Sequence, residues 1–177
     1  MGTEADTEAE LVKGPAFVVG PDEGADYWQG GTHRGHMNVK LGPHNLPHAP
    51  FSMGTQVMPA GCHVRAHGHA RQDEVFYILE GTGRCVVDGV EHALVPGATV
   101  MLGRYCEHSI HNDGPGELKF VWFFTPPGLE KVIEATGRPR KPGEEPPTDL
   151  QRPANMEEIF KQAGYATPEE MKTAVRK

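Results

Sequence analysis

Between Gly61 and Gly81 the chain reads GCHVRAHGHARQDEVFYILEG, and few architectures accommodate such a run. His67 and His69 stand one residue apart, Glu74 follows, and an apolar segment ends in glycine. In a β-strand alternate side chains share a face, so the two imidazoles point to one side about 7 Å apart. A carboxylate returning on the next strand then completes most of a metal site, with the remaining ligand supplied from elsewhere. Ionisable groups turned into a small β-structure are costly to desolvate unless a metal or a partner compensates them.

The surrounding sequence is strand-rich. His36–Leu41, Phe51–Pro59, Thr99–Leu102 and Leu118–Thr125 read as strands, and Pro15–Val19 as an edge strand. Asp88-Gly89 sits between two β-rich runs and predicts a tight hairpin. With 22 Gly and 16 Pro in 177 residues, short strands and turns are favoured over long helices. About eight to ten strands at spacings near 8–12 residues describe an all-β sandwich or barrel. Tyr27 and Trp28 are expected to pack outside the core. His44 and His48 lie in the proline-stiffened loop 42–50. Leu118–Thr125 and the strand after Glu74 are apolar on both faces, which predicts a covering partner and hence a homodimer.

After Pro126-Pro127 the pattern changes. Leu129–Thr136 is bracketed by glycines and reads as a short helix. Residues 138–153 form a polar, proline-rich connector. Asn155 with Glu158, and Thr167 with Glu170, look like capping boxes opening two further helices. The chain therefore divides into a tail (1–13) expected to be disordered, a β-barrel (14–127), and helices with a connector (128–177) packed on the barrel or a partner.

Charge and thiol content exclude several functions. The net charge is −7 without a basic block, so nucleic-acid binding is not expected. No stretch approaches the roughly 20 apolar residues of a membrane span, and the acidic N-terminus lacks a signal-peptide core. Three cysteines without a C-x-x-C pair fit reduced thiols in a cytoplasmic protein.

Gly61-x5-His67-x-His69-x4-Glu74-x6-Gly81 resembles the first conserved motif of the cupin superfamily at every defined position. Gly97, His108 and Asn112 resemble the second, with Gly103 where cupins usually carry proline and Tyr105 where they carry glycine. The segment Thr125–Glu130 is similar to cupins related to quercetin dioxygenase. The resemblance implies a double-stranded β-helix, or jelly roll, followed by short C-terminal helices. It also implies that His67, His69, Glu74 and His108 hold one divalent transition metal. Fe(II) is favoured, and Mn(II), Ni(II), Cu(II) and Zn(II) suit the same donors. Asn112 would serve the strand and turn.

Strand alternation places His63 and Arg65 beside His67 as candidate catalytic residues with Glu74. It also turns Phe76 and Ile78 inward as a pocket wall. His33, His36, His44 and His48 are candidates for the barrel mouth, whereas His92 and His111 are read as surface residues. The expected activity is an Fe(II)-type dioxygenase taking O2 and a small aromatic or enolisable substrate. The alternatives are a non-oxidative metal-dependent isomerase, lyase or cyclase, and a small-molecule-binding barrel without turnover.

Overall fold

The computed structural model describes residues 12–175. The tail expected to be disordered falls mostly outside them. Eleven strands occur among the described residues: β1 (Ala25–Gln29), β2 (Gly35–Leu41), β3 (Ser52–Met58), β4 (His63–His67), β5 (Asp73–Glu80), β6 (Gly83–Val87), β7 (Val90–Leu94), β8 (Thr99–Leu102), β9 (His108–His111), β10 (Leu118–Thr125) and the two-residue β11 (Arg138–Pro139). Three helices follow β10: α1 (Leu129–Thr136), α2 (Met156–Ala163) and α3 (Pro168–Thr173). One sheet has the order β11-β1-β2-β3-β10-β5-β8 and the other β4-β9-β6-β7, with every pairing antiparallel. The jelly roll expected from the motifs is thus present.

β10 organises the packing. It lies between β3 and β5, so its backbone groups are paired on both edges. Its alternation is strict: Leu118, Phe120, Trp122 and Phe124 are buried. Leu118 and Phe120 join Phe76, Ile78 and Leu102 in one core cluster, while Trp122 and Phe124 join Met37, Val39 and Ile133 in a second. The second cluster reaches α1, which turns Val132, Ile133 and Thr136 inward. On the opposite face of β10, Val121 and Phe123 are half-buried. Tyr77 and Met101, on the neighbouring strands, are 45% and 60% exposed.

The hairpin turns where the sequence places it, with Asp88 and Gly89 both at positive φ (46° and 82°). Thr167 and Glu170 form the complete capping box that opens α3. Asn155 does not form one: its φ/ψ of −93°/33° is not the extended backbone that brings a side chain back onto the first turn. Pro15–Val19 is not a strand either. No other strand borders it, and Val18 is 89% exposed, so its β-prone residues have nothing to pack against.

The connector after α1 packs more closely than its composition predicts. Arg138 and Pro139 pair with Trp28 and Tyr27 of β1. Arg140 lies 4.9 Å from the Trp28 ring centre and donates to Asp26 at 2.7 Å. Trp28 is accordingly buried, not peripheral. Cys62, Cys85 and Cys106 are free thiols, and burial followed by the charge of Glu74 pushes Cys85 up to about 12. Among the described residues no helix is long and apolar enough to cross a membrane.

Gly54 marks the closest approach within this framework. A Cβ there would overlap the Asn38 carbonyl oxygen of β2 and come within 2.6 Å of the Trp122 ring. Neither neighbour can yield, because one belongs to the β-ladder and the other is fully buried. Gly54→Ala is therefore expected to lower unfolding stability by about 1–3 kcal/mol, measured by denaturant titration.

Candidate metal centre

The four motif ligands arrive on different elements. His67 ends β4, Glu74 is the second residue of β5, and His108 opens β9. His69 lies beyond β4, where it forms an isolated bridge with Tyr165. The ligand atoms of these four residues all lie within 4.8 Å of one another. Glu74 Oε2 is 3.1 Å from His108 Nε2 and 3.3 Å from His69 Nε2. The His67 ring centre is 4.2 Å from that of His108 and 5.1 Å from that of His69.

A bulge in β4 sets the direction of His67. Val64 opposes Ile110 and His67 opposes His108, so two residues, Arg65 and Ala66, span a gap that one residue spans on β9. The extra residue places Val64 and His67 on the same inner face despite odd spacing. It also separates His63 from His67: His63 stacks on His111 with ring centres 5.6 Å apart, away from the cavity. Arg65 in the bulge does line the cavity. Regular alternation predicted His63, Arg65 and His67 on one face, and the bulge redistributes them.

The hydrogen bonds orient the rings. His67 Nδ1 donates to the Arg65 carbonyl at 2.9 Å, and His108 Nδ1 donates to the Cys106 carbonyl at 3.0 Å. Because a carbonyl only accepts, each neutral ring presents its Nε2 lone pair to the centre. Three facing atoms, His69 Nε2, His108 Nε2 and Glu74 Oε2, are buried and have no hydrogen bond of proper geometry despite their proximity. Burial resists charge on Glu74, but His108 and His69 outweigh it and hold the carboxyl well below its usual range. Burial likewise resists charge on His108, and Glu74 overcomes it and raises the imidazole. His67 is held well below its ordinary value by burial and by the other two imidazoles. Buried lone pairs converging on one point beside a stable carboxylate fit a divalent transition cation.

Tyr105 stands where the cupin pattern has glycine and adopts φ 65°, a left-handed conformation costly for a bulky residue. Its N–H donates to the His69 carbonyl at 2.8 Å, so the unusual backbone buttresses a ligand loop. Asn112 is structural: its amide donates to the Met58 and Gly116 carbonyls and accepts from Gly114 N–H.

Above the cluster lies a cavity of about 400 Å3. Phe76 and Ile78 do point inward, but they fill the core and do not form the cavity wall. The apolar wall comes instead from Met37, Ile110, Val132, Ile133, Met156 and Phe160. Tyr165 forms the cover: its ring stacks on His67 at 5.3 Å, meets His69 edge-on at 4.7 Å, and stacks on Phe160 at 4.4 Å. Ala70 N–H donates to Gly164 O, and Ala166 N–H to Gly68 O, so the tail is bonded to the ligand loop on both sides of Tyr165. Of the four histidines expected at the mouth, His33 lines the cavity, whereas His36 pairs with Asp26 at 3.0 Å. His44 and His48 are exposed outside the cavity lining.

Tyr165, Phe160 and Arg152 escaped the sequence reading. Their only signal was two aromatics within an otherwise polar tail.

Residues 54–124 match the family model described as the cupin domain. An uncharacterized protein of Methanocaldococcus jannaschii is 30% identical over 76 residues, which cover 43% of this chain and 61% of that relative. Among solved structures, a cupin-superfamily sugar phosphate isomerase of Silicibacter pomeroyi aligns with a TM-score of 0.54. It is 19% identical and covers 61% of this chain and 74% of its own. A predicted oxalate decarboxylase of Thermotoga maritima is 25% identical, covering 51% and 79%, with a TM-score of 0.49. Residues 54–124 are thus similar to the cupin domain, over about two fifths of the chain.

His33 gives the site an acid-sensitive edge. Burial, followed by the charges of Arg152 and Arg65, lowers its pKa to about 3 from an ordinary 6.5. The unfolded chain takes up this proton as pH falls through about 6.5, and the folded chain does not until about 3. The associated stability is thus present above pH 6.5 and lost between 6.5 and 3. His33→Gln should unfold with a shallower pH dependence over that window than wild type, measured by thermal melts at matched ionic strength.

Proposed function

We propose that this cupin is a mononuclear metal-dependent enzyme, of the Fe(II) dioxygenase type, acting on a small aromatic or enolisable molecule. The observation that carries this reading is the convergence of three imidazoles and Glu74 within 4.8 Å, with His69 Nε2, His108 Nε2 and Glu74 Oε2 buried and without a hydrogen-bond partner, beneath a largely apolar cavity. A bound Fe(II) would supply Lewis acidity and one-electron redox chemistry. His67, His69, Glu74 and His108 would hold it. Phe160 and Tyr165 exclude water from the side of His67, and the apolar wall positions a flat or aliphatic body beside the cluster. Glu74 Oε2 is placed to take a proton if it leaves the metal.

A non-oxidative isomerase or lyase is the second reading, and Tyr165 favours it. Burial and the charge of Glu74 push its phenol above the usual range, so it remains a proton donor throughout the neutral range. A phenol held against two ligand imidazoles suits proton delivery to a developing enolate.

Metal-reconstituted protein separates the two readings. The first expects oxygen uptake with Fe(II) on a panel of flavonols, catechols and β-diketones, and no product under strict anaerobiosis. Anaerobic turnover with Zn(II) or Ni(II) would replace it with the second. His67→Ala should abolish stoichiometric metal by elemental analysis under either, and full retention of metal in that variant would remove the site assignment itself.

We also propose that the chain is a homodimer. Val121, Phe123, Tyr77 and Met101 form a continuous apolar strip on the outer face of the larger sheet, and a second copy would remove it from water. Light scattering should give twice the chain mass at micromolar concentration, and Met101→Lys should shift it toward monomer. A wild-type monomer at that concentration would refute the dimer.

A further inference from the structure

The cavity carries cationic groups that the metal cluster does not use. Arg65 enters it from the β4 bulge and Arg152 from the segment preceding α2. Elsewhere, Arg84, Arg138 and Arg140 each hold a carboxylate, at 3.0, 3.1 and 2.7 Å respectively. Among the described residues, neither Arg65 nor Arg152 has a carboxylate within 4.0 Å, although the chain carries a net charge of −7. Glu157 also borders the cavity, but it is exposed and pairs with neither arginine. Glu74 lies within the imidazole cluster, beside His69 and His108, and pairs with neither arginine.

The partner of Arg152 is His33. Nη2 donates to His33 Nδ1 at 2.6 Å, which requires a neutral imidazole with its lone pair turned to the guanidinium. Burial and the two arginines keep His33 in that form. His33 therefore positions Arg152 without cancelling its charge. Gly31 permits the approach, since the position of its absent Cβ is 3.0 Å from the Arg152 Nε. Among the described residues, the remaining N–H groups of Arg152 and the guanidinium of Arg65 have no carboxylate within 4.0 Å. Arg152 is half-buried, and burial followed by the charge of the exposed Arg65 lowers its pKa.

We propose that the cavity binds an organic monocarboxylate, its carboxylate held by Arg152 and Arg65 and its apolar body lying against Met37, Val132, Met156 and Phe160. Guanidinium forks match a planar carboxylate, and the remainder of the wall offers hydrocarbon. His67 and Glu74 line the same cavity. A monocarboxylate is thus the substrate class of the site proposed above, which rests on that reading for turnover alone; capture of the anion does not require the metal.

Calorimetric titration of the full chain, metal-free and Zn(II)-loaded, with 4-phenylbutanoate and 4-phenylbutanamide tests it. The acid should bind at least about ten-fold more tightly than the amide in both forms, as charge-assisted bonds require. Arg152→Gln and Arg65→Gln should each remove most of that preference. Arg152→Gln also disturbs His33, whereas Arg65 is exposed in the bulge and its substitution reads the charge alone. Equal affinity for acid and amide, no binding of either, or full preference in Arg65→Gln overturns the inference. A preference seen only with Zn(II) and surviving both substitutions also overturns it, because the carboxylate would then sit on the metal. Preference for the acid in a chain that takes up no metal supports it and refutes only the metal reading.

Discussion

A buried carboxylate surrounded by imidazoles is the constraint on which this protein depends. Glu74 is 5% exposed, and its carboxylate lies 3.1 Å from His108 Nε2 and 3.3 Å from His69 Nε2. Burial, followed by the charges of the two neighbouring imidazoles, holds His67 well below its ordinary value. The folded chain therefore holds lone pairs and negative charge together in a dry place. That arrangement is unfavourable by itself and suits a divalent cation.

Three devices of the backbone keep the arrangement in place. The bulge at Arg65–Ala66 turns His67 onto the inner face of the smaller sheet. The left-handed Tyr105 supports the His69 carbonyl from behind. The strand pairing of β10 with β5 fixes Glu74 opposite Phe124, whose ring meets His69 edge-on at 5.0 Å. The C-terminal segment then closes the mouth with Tyr165, through backbone bonds to Gly68 and Ala70 on the ligand loop itself. Ligand loop and cover are thus one structural unit, and movement of either moves the other.

Much of the fold was legible because its signals are local. The Asp88-Gly89 turn, the alternation of β10 and the glycine-bracketed α1 depend on neighbours within a few residues. The four candidate ligands were legible through the resemblance to the cupin motifs, and the fold brings their donor atoms within 4.8 Å of one another. Pro15–Val19 and the Asn155 cap misled because a strand needs an adjacent edge and a cap needs a particular backbone angle, and composition carries neither. His63 misled because a single extra residue in β4 inverts every facing after it.

By itself the sequence determined an all-β sandwich or barrel, since strand periodicity is a one-dimensional property of the chain, and its resemblance to the cupin motifs implied the jelly roll and the candidate donor set. The tertiary structure decided what surrounds those donors. Arg152 and Tyr165 lie some 45 to 100 residues from the ligands in sequence, and they reach the cavity only because the tail folds back across it. Long-range closure of that kind leaves no periodic trace, because a polar connector and two short helices would read the same whether they lay on the site or away from it.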